Sequence, residues 1–521
     1  MTPENEWKPS FNPWLIATSV MLATFMEVLD TSVANVALPH IAGNLSATPE
    51  ESTWVLTSYL ISNAIILPAT NWLGSLFGRK RFLIVCIGIF TLSSALCGAA
   101  ASLGMLLVAR ILQGAGGGAL QPIAQAVLLE SFPVEKRGSA MAVYGMGIVV
   151  APIIGPTLGG WITDNYSWRW IFYINIPVGL LAMLMAKTFI EDPPYIRSQR
   201  PGRIDYVGFG LMAVGLATLQ LVLDKGQEDD WFSSPFIVRS ILIAVVALIG
   251  FVIWELRTKE PIVNLRVLAN RNFAVGTALI ATVGIALYGT TALLPLFLQT
   301  LLGYPALQSG LAVSPRGIGA VVSMVLVGRL IGKVDGRYLI VFGFGILAVS
   351  TYFLSDINLE ITISSITWPQ IFSGFALGFV FVPLTVIATG TLSNEQIGNA
   401  TGIYNLMRNV GGSFGIAAVT TMLARGTQTH QAAMVSHLTP YDPVFQQRIH
   451  DMASNFATHG GNMVTATQQA YGAVYQALVR QATLLAYIDN FRFLALMCVI
   501  CLPAGFLFKK VKARAGPAAM H

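Results

Sequence analysis

Residues 14–38 read WLIATSVMLATFMEVLDTSVANVAL, a run in which Glu27 and Asp30 are the only charges. About 20 mostly apolar residues suffice for a helix to cross the hydrocarbon core of a bilayer, so this run can span. Thr24, Glu27, Thr31 and Asn35 recur at steps of three or four and form one polar stripe, with Asp30 beside it. A carboxylate at that depth costs several kcal/mol unless it is paired or protonated, so it must face a cavity or a partner. The run does not read as a cleavable signal: no basic segment precedes it, it is too long, and the two acids interrupt it.

The rest of the chain fits a membrane protein. Of 521 residues, 54% are hydrophobic and only 11% charged, which is too little charge to cover a water-facing surface. The 49 glycines suit closely packed membrane helices. A disordered chain, a secreted disulfide scaffold and a nucleic-acid binder are excluded; the net charge of +6 reflects basic loops, not a basic groove. About fourteen spans are predicted, near 14–38, 51–73, 82–102, 105–129, 139–162, 170–190, 205–223, 236–256, 272–299, 308–331, 338–355, 366–390, 399–424 and 485–507. The apolar runs are long and continuous, which excludes a transmembrane barrel.

With the N-terminus placed in the cytoplasm, 21 of the 31 Lys and Arg residues fall on the cytoplasmic side, among them Lys8, Arg79, Lys80, Arg81, Lys136, Arg137, Arg197, Arg200, Arg203, Arg329, Lys333, Arg337, Lys510, Lys512 and Arg514. The positive-inside rule then predicts that both termini are cytoplasmic. Arg110, Arg316 and Arg408 fall inside spans. Cys86, Cys97, Cys498 and Cys501 also lie within spans, and Cys498-x-x-Cys501 on an apolar helix reads as two buried thiols, with no disulfide expected.

A shift of 260 aligns the two ends of the chain. Gly114 and Gly118 fall on Gly374 and Gly378, while Glu135, Gly138, Ala140, Tyr144 and Gly155 fall on Glu395, Gly398, Ala400, Tyr404 and Gly415. The repeat predicts two parallel six-helix halves, residues 1–190 and 266–521, with a linker and two inserted helices in 191–265. Such halves place a substrate site between them near the midplane.

Several motifs make the sequence resemble the 14-helix drug:proton antiporters of the major facilitator superfamily, most closely the EmrB-type subfamily. They are Leu29-Asp30-Thr31-Ser32-Val33-Ala34-Asn35-Val36-Ala37-Leu38-Pro39, Arg110-Ile-Leu-Gln113-Gly114 and Gly147-x7-Gly155-Pro156-x-x-Gly159-Gly160. The resemblance covers nearly the whole chain. It implies an all-α inner-membrane protein of the major facilitator fold that exports amphiphilic compounds in exchange for protons, without a cofactor. It also implies that the Gly147 to Gly160 motif makes a tight contact between halves.

Each motif has its own physical reading. Burial and a like-charged neighbour both disfavour an ionised carboxyl, which suits Glu27 and Asp30 to taking up and releasing a proton. At 1.5 Å per residue Arg110 lies roughly 8 Å and Asp30 roughly 12 Å below the outer face, within side-chain reach, so Arg110 is the expected counter-charge. On this reading Asp30→Asn leaves a folded, uncoupled protein. Gly147, Ala151, Gly155 and Gly159 form one small-residue ridge flanked by Pro152 and Pro156, a close-packing device first of all. The loop from Asn71 through Gly78 and Arg79 matches the family's cytoplasmic gate in part. Ser75 replaces the usual aspartate, so a latch through that residue is not expected. Thr31, Asn35, Tyr59, Gln113, Gln121, Tyr288, Phe379 and Arg408 are candidate cavity residues. Arg316 and Arg408 have no evident acidic partner; each could bond carbonyls, line the cavity or bind an anionic group. The inserted helices, poor in buried charge, read as a peripheral scaffold.

Residues 425–484 are read as a long, polar, non-cytoplasmic loop, part of it helical near 443–482. By the resemblance it docks a periplasmic adaptor leading to an outer-membrane channel. Its four histidines, His430, His437, His450 and His459, lack metal-ligand spacing, and no metal site is predicted. Other readings are a proton-independent facilitator, a symporter, a dedicated exporter of a metabolite, fatty acid or siderophore, and a membrane-embedded enzyme on lipid-linked substrates. No nucleotide-phosphate motif is present, so ATP does not drive the protein directly.

Overall fold

The computed structural model describes residues 9–193, 205–436, 438–439, 441–458 and 462–509. Lys8, Arg197, Arg200, Arg203, Lys510, Lys512, Arg514, His437 and His459 lie outside the described residues. The described residues form α-helices joined by short turns, with no β-sheet among them. The N-terminal set comprises α1 (Pro13–Asn44), α2 (Pro49–Phe77), α3 (Arg79–Ala99), α4 (Leu103–Gly117), α5 (Leu120–Ser131), α6 (Arg137–Asn165), α7 (Trp170–Tyr173) and α8 (Asn175–Phe189). Then come α9 (Tyr206–Lys225) and α10 (Pro235–Arg257). The C-terminal set comprises α11 (Arg271–Thr300), α12 (Ala306–Val313), α13 (Pro315–Leu330), α14 (Gly336–Phe353), α15 (Ile363–Thr389), α16 (Asn394–Val435), α17 (Pro443–Thr458) and α18 (Met463–Ile500).

Side chains cap many of these starts. Asn12 accepts from the Trp14 amide, Thr48 and Glu51 form a reciprocal capping box at α2, and Asn270 accepts from the amides of Asn272 and Phe273. Three predicted spans are broken by proline. Pro122, Pro177 and Pro315 present their rings to the carbonyls four residues back, at Gly118, Tyr173 and Leu311, where α4 gives way to α5, α7 to α8 and α12 to α13.

Thirteen helices among the described residues are long and apolar enough to cross a membrane. The predicted span 399–424 lies in α16, a helix of 42 residues whose Asn, Gln, Thr and Arg content keeps it below that threshold. In residues 425–484 the helix expected near 443–482 is present, and helix also fills much of the stretch before it. α16 runs on to Val435 and α18 begins at Met463. Between them α17 lays Ile449 and Ala453 on Ala470 of α18, with Phe445, Met452, Phe456 and Val474 around them. These helices are polar overall, yet an apolar residue returns every three or four positions to meet a neighbour.

Glycines related by the shift of 260 make similar helix contacts. A side chain at Gly114 would strike the backbone of Tyr59 on α2, and one at Gly374 would strike the backbone of Arg316 on α13. Gly155 packs on Ser32 of α1, and Gly415 on Ile285 of α11. Small residues let these backbones approach closely.

The two sets meet along α6 against α12 and α13, and along α2 and α5 against α16. The junction is densest at the end that carries Arg79 and Arg137. All twelve residues of α5 and all of 397–405 are buried there. α9 lies at the edge of the bundle, mostly unburied, and touches both sets. Lys225 and Asp224 bond Thr53 and Thr57 of α2, while Gln220 accepts from Ser413 of α16 at 3.1 Å. The Trp231 indole, just beyond α9, donates to Thr421 of α16 at 2.9 Å. The expectation of a charge-poor scaffold missed this because Asp224 and Lys225 sit at the very end of the apolar run.

Candidate functional site

The acids of α1 sit in two linked, buried nests. Asp30 Oδ2 accepts from Arg110 Nη1 at 2.6 Å. Its Oδ1 accepts from Gln113 Nε2 at 2.9 Å and from Asn175 Nδ2 at 2.7 Å. Arg110 is fully buried; it also donates through Nε to the Val55 carbonyl at 3.0 Å and through Nη1 to Gln113 Oε1 at 2.7 Å. Its guanidinium lies 4.3 Å from the centre of the Tyr59 ring, a cation–π contact that shields the remaining edge. Ser94 accepts from Gln113 and Asn175 at 3.3 and 3.0 Å. The predicted Asp30–Arg110 pairing is thus present, and both Asp30 oxygens accept hydrogen bonds.

Glu27, one turn away, has only neutral direct partners. Its Oε1 accepts from Tyr59 Oη at 3.1 Å and Asn63 Nδ2 at 3.2 Å, and its Oε2 from Gln121 Nε2 at 2.6 Å. The carbonyl of the same Gln121 side chain accepts from Arg408 of α16. One amide therefore joins a carboxyl of the N-terminal set to a guanidinium of the C-terminal set. Tyr144 lies beside Arg408 and donates to the Gln121 carbonyl oxygen of the backbone at 3.2 Å. Gln125 of α5 accepts from Asn405 of α16 at 2.6 Å, one turn further along the same contact.

Among the candidate cavity residues, Tyr59, Gln113, Gln121 and Arg408 come together here. Thr31 turns its hydroxyl back to the Glu27 carbonyl at 3.2 Å. Tyr288 is half-buried and packs against Gly412 of α16. Asn35 is exposed and stands apart from the cluster, two turns beyond Glu27. Phe379 packs within the C-terminal set, with ring centres 5.1 Å from Phe342 and 5.0 Å from Phe375. Beside it a cleft of about 1130 Å³ opens between α14 and α15, lined by Phe353, Trp368, Phe372 and Phe375.

The glycines of the motif pack on α1, while its Pro156 touches Gly310 of the C-terminal set. Gly147, Gly155, Gly159 and Gly160 face Met21, Ser32, Val33 and Val36, all on α1. The contact between sets uses the other side of α6. There Gly138 meets Ile331, Ser139 donates to the Gly328 carbonyl at 3.2 Å, Gly145 meets Met324, and Pro156 and Thr157 meet Gly310. The 3.6-residue pitch separates the two sides, so one helix serves both contacts.

At the basic end, Gly78 adopts φ +82°, the left-handed turn that admits glycine, and starts α3 at Arg79. Arg79 pairs with Glu130 at the end of α5, both buried. Asn71 and Arg79 crowd Gly398 at the start of α16. The acid that Arg79 pairs with is thus Glu130, within the N-terminal set, and not a residue at position 75. Sequence reading missed Glu130, Asn63, Ser94 and Asn175; the signal available was a lone polar residue inside an otherwise apolar run, with no charge to single it out.

All four cysteines are buried and free, and no group of metal-ligating side chains occurs among the described residues.

Comparison with known proteins agrees with this architecture. The profile of the Major Facilitator Superfamily matches residues 20–416. The chain is 38% identical to the multidrug export protein EmrB of Haemophilus influenzae over 93% of this chain and 94% of that one. It is 37% identical to the fatty acid resistance protein FarB of Neisseria gonorrhoeae over 95% and 96%. Among solved structures it superposes on the human organic anion transporter MFSD10 (TETRAN) with a TM-score of 0.60, at 12% identity, over 96% and 100% of the two chains. The chain is a multi-pass membrane transporter, not an enzyme, and it belongs to the Major Facilitator Superfamily, among the EmrB-type exporters.

Proposed function

We propose that the protein expels amphiphilic organic compounds from the cytoplasm in exchange for protons, with Glu27 as the group that carries the proton. The observation that carries this reading is the chain Glu27–Gln121–Arg408. Asp30 is held by Arg110 and two amides, so its charge is balanced in place. Glu27 has no cation in direct contact, and its link to the C-terminal set is a single amide. Taking a proton turns one Glu27 oxygen from acceptor to donor, which opposes the Gln121 N–H and loosens the tie to Arg408. Occupancy of Glu27 is thereby coupled to how the two sets meet. One proton moving through 100 mV supplies about 2.3 kcal/mol, roughly a fifty-fold concentration ratio.

Fourteen spans in two six-helix halves around α9 and α10, with both termini cytoplasmic and the chain in the inner membrane, is the arrangement this reading uses. It is supported by the paired glycine contacts and by the gathering of Arg79, Arg137 and Arg271 at one end of the helices, through Gly398, Asn394 and Leu507. At the other end α16, α17 and α18 extend past the apolar segments, and Tyr441, Val444, Met463 and Val464 are exposed there. We assign this extension as the docking surface for a periplasmic adaptor and its outer-membrane channel. The identity to FarB favours fatty acids as one cargo. The deciding experiment is proton release from the purified protein on adding cationic, neutral or anionic amphiphiles, with and without Glu27→Gln. Release by none of them would leave a facilitator.

A further inference from the structure

We propose that Arg316 is a binding site for the anionic head group, a carboxylate above all, of an amphiphilic substrate. The inference deepens the export reading by naming a substrate class, and it rests on that reading for its purpose.

Besides Arg79 at the start of α3, three buried arginines are found among the described residues, deep within the helices, and they differ in how their charge is balanced. Arg110 has Asp30, and Arg408 reaches Glu27 through Gln121. Arg316 has neither. It is 2% exposed and makes two side-chain hydrogen bonds, both from Nη1, to Thr290 Oγ1 at 3.1 Å and Thr291 Oγ1 at 3.0 Å. Residues 271–330 and 363–389, which supply α11, α12, α13 and α15, contain no Asp or Glu. A buried cation is stable only with a compensating charge, and none is built into these four helices; α6, which also packs on α13, has as its one acid Asp164, exposed at its far end.

Its free atoms have a defined shape. Nε and Nη2 have no partner among the described residues. These two N–H groups form the side-on edge of the guanidinium plane, the fork that grips both oxygens of a carboxylate. Arg408 differs, since its unpartnered atoms, Nε and Nη1, do not share that edge. The two threonines hold the far side of Arg316 and leave the fork unpartnered, buried in this conformation and open to a ligand only when the junction loosens.

The repeat gives the position a meaning. The Arg316 backbone packs on Gly374 as the Tyr59 backbone packs on Gly114. Arg316 thus occupies in the C-terminal set the place of the residue that holds Glu27 in the N-terminal set. Thr291 is half-buried, so the neighbourhood is reachable. Gly317 beside it faces Ile153 of α6 at 3.4 Å, on the junction between the sets. An amphiphile with its carboxylate on Arg316 would lay its tail along this apolar junction.

The test is equilibrium binding of radiolabelled decanoate to the full-length protein in nanodiscs, near pH 8 and with no proton gradient, competed by decanol, decylamine and chloride. The expected result is that decanol competes at least about tenfold more weakly than decanoate and decylamine does not compete. Arg316→Gln should weaken decanoate about tenfold or more and bring it level with decanol, while Arg316→Lys, which keeps the charge without the fork, falls between. If Arg316→Gln does not fold, Thr290→Val with Thr291→Val, which frees Nη1 from its anchors, should weaken decanoate selectively. Equal binding of decanoate and decanol by the unaltered protein would overturn the proposal. So would decanoate binding that survives Arg316→Gln, or displacement by chloride with no dependence on tail length, which marks an inorganic-anion site. Proton release by the unaltered protein is a separate readout, so the export reading can fail while this site stands, and the reverse.

Discussion

Replacing Glu27 by Gln separates proton uptake from structure, and the partners give the size of the effect. Glu27 accepts from Tyr59, Asn63 and Gln121, all neutral. A glutamine keeps an acceptor for Tyr59 and Asn63; only its new amide opposes Gln121, which must turn over and release Arg408. Disturbing bonds of this kind costs roughly 1–3 kcal/mol. Asp30→Asn is harsher, because Arg110 stays buried and loses its only anion, a change of about 3–5 kcal/mol. The expectation from sequence, that Asp30→Asn yields a folded and uncoupled protein, therefore moves to Glu27→Gln. In proteoliposomes carrying a pH-sensitive dye, Glu27→Gln should bind amphiphile and exchange it passively, yet release no protons on its addition. Asp30→Asn should unfold at lower temperature than Glu27→Gln, and adding Arg110→Gln should recover much of the loss. Proton release by Glu27→Gln at the level of the unaltered protein would refute the assignment, and equal stability of Glu27→Gln and Asp30→Asn would refute the charge-balance reasoning.

Three further outcomes are expected. Glu130→Gln deprives Arg79 of its buried acid, so the basic end should open more often, read as faster alkylation of a cysteine placed at Ser139 in a cysteine-free background. Gly159→Val should lose about 1–3 kcal/mol of stability and most transport, because even a Cβ there lies 2.9 Å from Val33, whereas Gly160→Ala, whose nearest neighbour is 3.9 Å away, should be silent in thermal unfolding and export. Deleting α17 should abolish export across the whole envelope and spare transport in vesicles; loss in both would show that the extension serves the transporter itself.

What could be read beforehand follows from energetics. Charge inside an apolar run is expensive, so Glu27, Asp30, Arg110 and Arg408 announce themselves, and helical depth alone pairs Arg110 with Asp30. Asn63, Ser94, Asn175 and Gln125 are cheap enough to bury that single positions say nothing; their role emerges only when helices distant in sequence converge. Glu130 sits at a helix end, where an acid is unremarkable until Arg79 is seen across from it. The segment 425–484 shows its helix near 443–482 in the sequence, but not the continuation of α16 to Val435, for a related reason. Hydropathy finds helices that face lipid, and α17 and the ends of α16 and α18 do not. The faces of α6 were a matter of rotation, which a list of small residues does not fix.

The length of α16 has a mechanical consequence. One uninterrupted helix begins beside Arg79, carries Arg408 about a third of the way along and ends at Val435, outside the apolar segments. Val435 lies roughly 40 Å along the axis from Arg408, so a tilt of about 10° there carries the tip about 7 Å. The helix is a lever with its fulcrum at the charged centre. A small adjustment around Glu27 becomes a displacement large enough for another protein to feel, and a push on the tip is returned, with its force multiplied, to Arg408.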